Sequence, residues 1–224
     1  MNILIFLLVS TTLSLVAFSI SDNNGNVISI PVLDREGKSL KINEEYVINS
    51  IVAGGGSVYL DNIKNRTKCP NDVLHDSSGS FYNSTAVLFY TMQLGSHFVP
   101  ENQDVSIMFS TSSVEKSCVN ETVWQAGHHK IGPIPSPPRF VITGATLGFP
   151  GPNNIQNWFK IVKYETGIPH SYKLRYCPSK FICPTCQVDC ADVGLYVDSR
   201  RTRLVLNDEA YAFRFSKVNN HLDA

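Results

Sequence analysis

The sequence of 224 residues predicts an all-β protein built from many short strands. Runs of β-branched and aromatic residues recur from residue 46 onward, whereas the periodicity of amphipathic helices is nearly absent. Clusters of Gly, Pro, Asn and Ser separate the runs and mark turns. The proline-rich stretch 132–138 is short, and strand signals of the same character continue on both sides of it. We therefore expect one closed, barrel-like domain.

Nine runs have the composition of strands and vary from four to seven residues. They are Tyr46–Val52, Ala86–Tyr90, Val105–Phe109, Phe140–Thr143, Trp158–Val162, Tyr172–Tyr176, Gly194–Val197, Thr202–Leu206 and Ala212–Phe215. Turn residues lie between them at 54–56, 78–79, 132–138 and 148–154, where we expect turns.

The N-terminal segment has the features of a secretory signal peptide. Residues 3–17 are almost wholly apolar, and Ser19 and Ser21 follow at the spacing that signal cleavage prefers. Serine and threonine interrupt the apolar run, which is therefore shorter than the roughly 18 residues of a membrane anchor. We expect residues 1–21 to be removed and the mature protein to be secreted.

The balanced charge of the chain argues against several classes of partner. Lys plus Arg and Asp plus Glu each number 19, and only 17% of the residues are charged. Nucleic acid and anionic membrane surfaces are therefore not expected partners. No later apolar run approaches membrane-spanning length, so we expect a mature protein that does not insert into membranes. We also expect a monomer.

All six cysteines lie after the predicted signal peptide, as expected for disulfides formed in an oxidising compartment. Cys69 and Cys118 have no close neighbour and most simply pair with each other. The other four fall within residues 177–190, where a bridge between Cys183 and Cys186 nested inside a bridge between Cys177 and Cys190 would close a local knot.

Two alternatives exist for the cysteine cluster, namely a zinc site and a redox-active dithiol in Cys183-Pro-Thr-Cys186. Zinc thiolate sites usually belong to reducing compartments, and a redox dithiol usually opens a helix in a βαβ unit. Structural disulfides are therefore favoured, and we expect no metal and no cofactor. Catalysis is not expected either, because the chain lacks the Gly-x-Ser-x-Gly motif of serine hydrolases.

Three Asn-x-Ser/Thr sequons predict glycosylation on surface loops. They begin at Asn65, Asn83 and Asn120. Such sites suit a secreted glycoprotein.

A series of short motifs, in order along the chain, resembles the plant Kunitz inhibitors of the soybean trypsin inhibitor family. They are Val32–Leu40 with Tyr46-Val-Ile, Gly54–Leu60, Cys69-Pro, Asp104–Phe109, Cys118–Trp124, Cys190–Asp198, Arg203-Leu-Val-Leu and Phe213-Arg-Phe. The cysteine cluster with its inner Cys-x-x-Cys is similar to that of miraculin-like members. That similarity implies the nested pairing.

The resemblance implies a β-trefoil, with twelve strands, pseudo-threefold symmetry and a six-stranded barrel capped by hairpins. It implies a folded domain over residues 32–218, between a leader at 22–31 and a C-terminal tail at 219–224. The leader segment Asn26–Pro31 resembles a vacuolar sorting signal of some relatives. The vacuole is therefore the alternative to secretion.

The resemblance further implies inhibition of an endopeptidase through a substrate-like loop between two strands. The matching segment is Thr91, Met92, Gln93, Leu94, Gly95, Ser96 and His97. Gln93, Leu94 and Gly95 are the candidates for the residue that enters the specificity pocket. The asparagine that braces this loop in relatives aligns with Ile42, and neighbouring Asn43 is a candidate replacement.

The loop lacks the cation that trypsin-like pockets require. No Lys or Arg occurs between Ala86 and Glu115. An apolar contact residue such as Leu94 or Met92 suits the pocket of a chymotrypsin-like serine protease, and cysteine and aspartic proteases are alternative targets. The competing hypothesis is a miraculin-like trefoil with a binding, taste-modifying, storage or defence role that has lost inhibition.

Overall fold

The computed structural model describes residues 29–52, 55–63, 68–78, 83–93, 95–127, 137–198 and 200–218. The predicted signal peptide, the C-terminal tail 219–224, Asn65 and most of the leader lie outside the described residues. Within the described part of the chain, no helix is both long enough and apolar enough to cross a membrane.

The described residues form twelve strands and three short 3₁₀ helices. The strands are β1 (Tyr46–Ser50), β2 (Val58–Asp61), β3 (Asp72–His75), β4 (Val87–Thr91), β5 (Asp104–Phe109), β6 (Val123–Ala126), β7 (Arg139–Ala145), β8 (Phe159–Lys163), β9 (Tyr172–Tyr176), β10 (Ala191–Asp198), β11 (Arg201–Asn207) and β12 (Phe213–Lys217). The helices are η1 (Thr111–Ser113), η2 (Lys116–Glu121) and η3 (Pro152–Asn157).

Six of the strands close a ring of antiparallel pairs. The ring runs β1–β4–β5–β8–β9–β12 and returns from β12 to β1. Closure satisfies the main-chain hydrogen bonds of strands that would otherwise be exposed edges. This ring is the six-stranded barrel that the resemblance implied.

The other six strands form three hairpins that cap one end of the barrel. The hairpins are β2–β3, β6–β7 and β10–β11. Their second strands β3, β7 and β11 also pair with one another, so the hairpins meet around a common centre. The predicted β-trefoil with its pseudo-threefold arrangement is therefore confirmed.

The barrel interior is filled by aromatic and β-branched side chains that alternate along the strands. In β9 the side chains of Tyr172, Leu174 and Tyr176 are buried while those between them are less so. The rings of Phe89 and Phe215 meet edge to face, with centroids 5.6 Å apart. Burial of every second residue explains why the period-two pattern in the sequence identified these strands.

All nine predicted runs overlap an observed strand, and three strands were not identified from composition. These are β2, β3 and β6, each of which has only four residues. Polar ends and short length weaken the local signal. Pairing supplies the missing stabilisation, since β3 pairs with β2, β7 and β11, and β6 pairs with β5 and β7.

Arg203 of β11 joins the three hairpins at the centre of the cap. Its guanidinium forms ion pairs with Asp72 of β3 and, at 3.3 Å, with Asp198 of β10. It also lies 3.7 Å above the ring centroid of Phe140 in β7. The residue is only 9% exposed, so each partner compensates a charge that has lost water.

We expect the substitution Arg203→Ala to destabilise the protein by about 3–5 kcal/mol, because it removes a buried guanidinium that pairs with Asp72 and Asp198 and packs on Phe140. Arg201→Ala is the matched control, since its ion pair with Asp61 is partly exposed and should contribute at most about 1 kcal/mol. Urea unfolding curves measure both values. Equal losses for the two variants would contradict a central role for Arg203.

His75 of β3 is almost fully buried beside the ring of Tyr211, with centroids 5.2 Å apart. Burial lowers the pKa of His75 below its ordinary value, an effect that attraction to Asp76 partly offsets. The folded protein therefore binds a proton at His75 less readily than the unfolded chain does. The free energy of unfolding is greatest above the unfolded pKa of about 6.5 and decreases as the pH falls toward the folded pKa.

We therefore expect the free energy of unfolding to decrease as the pH falls from about 6.5 to 5, by at most about 1.4 kcal/mol per pH unit from this residue. In His75→Gln the decrease over this range should be smaller. Urea denaturation at several pH values tests the expectation. Parallel pH profiles for the two proteins would show that His75 is not responsible.

Candidate functional site

The predicted inhibitory loop lies at the end of the barrel opposite the cap. Neighbouring ring strands run in opposite directions, and each hairpin is inserted at the same end of the ring. The β4–β5 and β8–β9 connections, the start of β1 and the end of β12 therefore share the other end. The segment 91–97 occupies the β4–β5 connection and begins with the last residue of β4.

Main-chain pairing with the segment before β1 holds the C-terminal flank of the loop. The amide of Val32 donates to the carbonyl of Val99 at 2.9 Å, and the amide of Val99 donates to the carbonyl of Leu40 at 2.8 Å. All three side chains are fully buried. The flank is thus part of the folded core and cannot move independently of it.

Ile42 supports the loop through its main chain. Its amide donates to the carbonyl of His97 at 3.3 Å, next to a bridge between Lys41 and Phe98. Asn43 has a φ of 65°, which asparagine adopts more readily than most residues and which turns the chain toward β1. The sequence could not reveal this contact, because a main-chain hydrogen bond does not depend on which side chain occupies position 42.

The tip of the loop is a tight turn. The amide of Ser96 donates to the carbonyl of Gln93 at 3.3 Å, and Gly95 has a φ of 78°. A positive φ at this position is required in type II turns and is accessible to glycine without steric cost. The amide of Gln93 also donates to the hydroxyl of Thr91 at 3.3 Å. These local bonds constrain the main chain at Gln93 and Ser96.

The loop side chains differ in exposure. Gln93, Gly95 and His97 are exposed, and Met92 is half-buried at the edge of the barrel. Leu94, a candidate contact residue, lies outside the described residues. Gln93 and Gly95 therefore offer uncharged groups to a partner.

A partly buried polar network fixes the return of the loop into β5. The amide of Leu33 donates to the hydroxyl oxygen of Tyr172 at 2.9 Å, and that hydroxyl also bonds the carboxyl group of Glu101. Burial raises the pKa of Tyr172 to about 12 and also raises the pKa of Glu101. The phenol therefore keeps its proton at neutral pH and remains able to donate.

The structure pairs all six cysteines as three disulfides. The pairs are Cys69–Cys118, Cys177–Cys190 and Cys183–Cys186. This is the pairing that spacing and the resemblance favoured. No thiol remains to bind zinc or to act as a dithiol, and the described residues contain no cluster of three or more metal-ligating side chains.

The doubly bridged segment 177–190 lies against the start of β5, beside the inhibitory loop. The amide of Ser179 donates to a carboxylate oxygen of Asp104 at 3.1 Å, and the Ser179 hydroxyl donates to the other oxygen. Lys160 of β8 is 3.7 Å from the same carboxylate. This contact joins two segments that are 75 residues apart in the sequence.

A depression of about 350 Å³ separates the loop from the bridged segment. Its walls and floor include Met92, Gln93, Asp104, Lys160, Ser179 and Phe181. Sequence reasoning had assigned no role to the last four of these residues. Asp104 is the first residue of β5, and Phe181 is an aromatic residue in the connection between β9 and β10. Neither feature distinguishes a functional residue in a sequence.

Two of the three predicted glycosylation sites lie in described residues. Asn83 and Asn120 are both exposed, as attachment of a glycan requires. Glycosylation at Asn65, Asn83 and Asn120 stays a prediction.

Comparison with known proteins shows the family. The family model for trypsin and protease inhibitors, Kunitz legume type, matches residues 32–217. Cysteine protease inhibitor 8 from Solanum tuberosum is 34% identical over 229 residues, which cover 93% of each chain. Miraculin from Synsepalum dulcificum is 32% identical over 84% of this chain and 83% of its own.

Solved structures agree with this assignment. The Kunitz-type cysteine protease inhibitor PCPI-3 from potato is 67% identical, with a TM-score of 0.78 over 87% of this chain and all of its own. Soybean trypsin inhibitor, at 22% identity and a TM-score of 0.64 over 84% of this chain and all of its own, has the same fold. The chain therefore belongs to the Kunitz legume family of trypsin and protease inhibitors.

Proposed function

We propose that this protein inhibits an endopeptidase by inserting the loop Thr91–His97 into the active-site cleft. The observation that carries the proposal is the shape of this loop. Its exposed tip is closed by a turn at residues 93–96, while its C-terminal flank is paired with the segment before β1. Main-chain bonds on the flank and between Gln93 and Ser96 reduce the conformational entropy that is lost on binding, which favours affinity.

The chemistry of the loop argues against trypsin-like targets. Their specificity pocket ends in a carboxylate that requires Lys or Arg, and the chain has neither between Ala86 and Glu115. Leu94 or Met92 would suit an apolar pocket, where burial contributes about 1–3 kcal/mol. Gly95 would contribute almost nothing there.

A cysteine protease of the papain class is the first target we propose. The relatives at 67% and 34% identity are both named as cysteine protease inhibitors, whereas the sequence had favoured a serine protease. A chymotrypsin-like protease is the second candidate, because the apolar loop residues fit its pocket. An aspartic protease inhibitor from Solanum tuberosum at 34% identity makes that class the third.

We propose a secreted protein without enzymatic activity, with the vacuole as the alternative location. Its relatives include inhibitors rather than enzymes, and its six cysteines form disulfides typical of oxidising compartments. Relatives named miraculin and 21 kDa seed protein favour a second function as a taste-modifying or storage protein. Failure of the folded protein to inhibit papain, chymotrypsin, trypsin and pepsin would support that second function.

The substitution Leu94→Arg should create trypsin inhibition, because it supplies the missing cation to the pocket. We expect an increase in affinity on the order of 100-fold, as one buried charge pair contributes about 2–5 kcal/mol. His97→Arg is the matched control at the paired flank of the loop and should give no such gain. Inhibition constants against trypsin measure both. No gain for Leu94→Arg would refute the assignment of the contact residue.

Gly95→Val should weaken inhibition by about 10-fold or more, because left-handed backbone costs an L-residue roughly 1–2 kcal/mol. A Cβ at Gly95 would meet no atom within 4 Å, so the effect comes from the turn and not from a clash. Gly167→Val in the β8–β9 connection is matched, with a φ of 79° and equally open surroundings. Inhibition constants against papain and chymotrypsin should change only for Gly95→Val. Equal effects would exclude the loop as the binding element.

A further inference from the structure

Phe181 is a large apolar side chain that the fold leaves in solvent. It is 70% exposed and lines the depression beside Met92 and Gln93 of the inhibitory loop. Aromatic residues, including Phe, are enriched in protein–protein interfaces relative to the rest of the surface. The position of Phe181 next to the proposed inhibitory loop therefore calls for a functional explanation.

The segment around Phe181 is held on both sides. On the N-terminal side, the Phe181 amide donates to the Ser179 hydroxyl at 3.2 Å, and Ser179 is bonded to Asp104. On the C-terminal side, Ile182 is 1% exposed and Cys183 forms a disulfide with Cys186. The aromatic ring is thus presented from a fixed main chain, which lowers the entropy cost of using it in a contact.

The two charged residues that line the depression pair with each other. Lys160 and Asp104 have side chains 17% and 10% exposed and lie 3.7 Å apart, so neither offers an uncompensated charge to a ligand. The walls contributed by Met92 and Phe181 are apolar. This combination suits an apolar side chain of a partner better than an anion or a cation.

The inhibitory loop is too small to form a stable interface by itself. Standard protein–protein interfaces use about 20–30 residues on each side, roughly three to four times the length of segment 91–97. An enzyme seated on the loop tip would extend over the adjoining surface. The depression adjoins Met92 and Gln93, which precede the tip, so an enzyme seated on the loop would extend over it.

We propose that Phe181 and the depression beside it form a second contact surface for the same protease, taking up an apolar side chain from the rim of the enzyme's cleft. This inference rests on the proposed function of loop 91–97. It assigns to the doubly bridged segment 177–190 a direct role in binding.

The test compares the substitutions Phe181→Ala and Phe149→Ala. Phe149, on the β7–β8 connection, is 79% exposed and does not line the depression, so it is the matched control. Binding of each variant to papain and to chymotrypsin is measured by surface plasmon resonance, with thermal unfolding as the folding check. We expect Phe181→Ala to weaken binding by about 10–100-fold, mainly through faster dissociation, and Phe149→Ala to have no effect.

The variant Gly95→Val separates this inference from the function on which it rests. If Gly95→Val loses binding while Phe181→Ala keeps it within twofold, the second surface is refuted and the inhibitory loop stands. If neither variant affects binding, or if Phe181→Ala alone does, the loop assignment fails and the proposed continuous surface fails with it. Binding lost in both variants, with unfolding temperatures unchanged, supports the inference.

A photo-crosslinking experiment tests the geometry directly. With p-benzoylphenylalanine in place of Phe181, irradiation of the complex with the bound protease should give a covalent product. The same group in place of Phe149 should give none. Equal crosslinking at both positions would overturn the proposed contact.

Discussion

Closure of the six-stranded barrel is the constraint on which the rest of the structure depends. The six strands β1, β4, β5, β8, β9 and β12 pair in a closed ring, and the three hairpins cover one end of it. Arg203 joins these hairpins through two ion pairs and a contact with an aromatic ring. Because the fold is stabilised by pairing and burial in the barrel and cap, the loops at the other end can vary without loss of stability.

The inhibitory loop uses this closed scaffold by pairing its own flank with the segment before β1. Val32, Leu40 and Val99 join their main chains and bury their side chains together. The tip is then a short turn between β4 and a fixed flank. Order in the loop therefore comes from the core of the protein, and the tip residues remain free to determine specificity.

Disulfides act in this protein on the segments that the barrel does not order. Cys69–Cys118 joins the end of the β2–β3 hairpin connection to η2, and the nested pair shapes the segment that carries Phe181. The bond between Ser179 and Asp104 then positions this segment beside the loop. The proposed inhibitory surface is thus made of two loops from different thirds of the trefoil.

The sequence by itself determined the all-β class, nine of the twelve strands and the absence of a cation in the loop. These features are visible because alternation, turn residues and charge are local properties of the chain. Only the tertiary structure decided that Ile42 supports His97 through its main chain, that Arg203 meets Asp72 across 131 residues, and that Phe181 adjoins Met92. Such contacts depend on strand register and on the closure of distant loops, which no local pattern encodes.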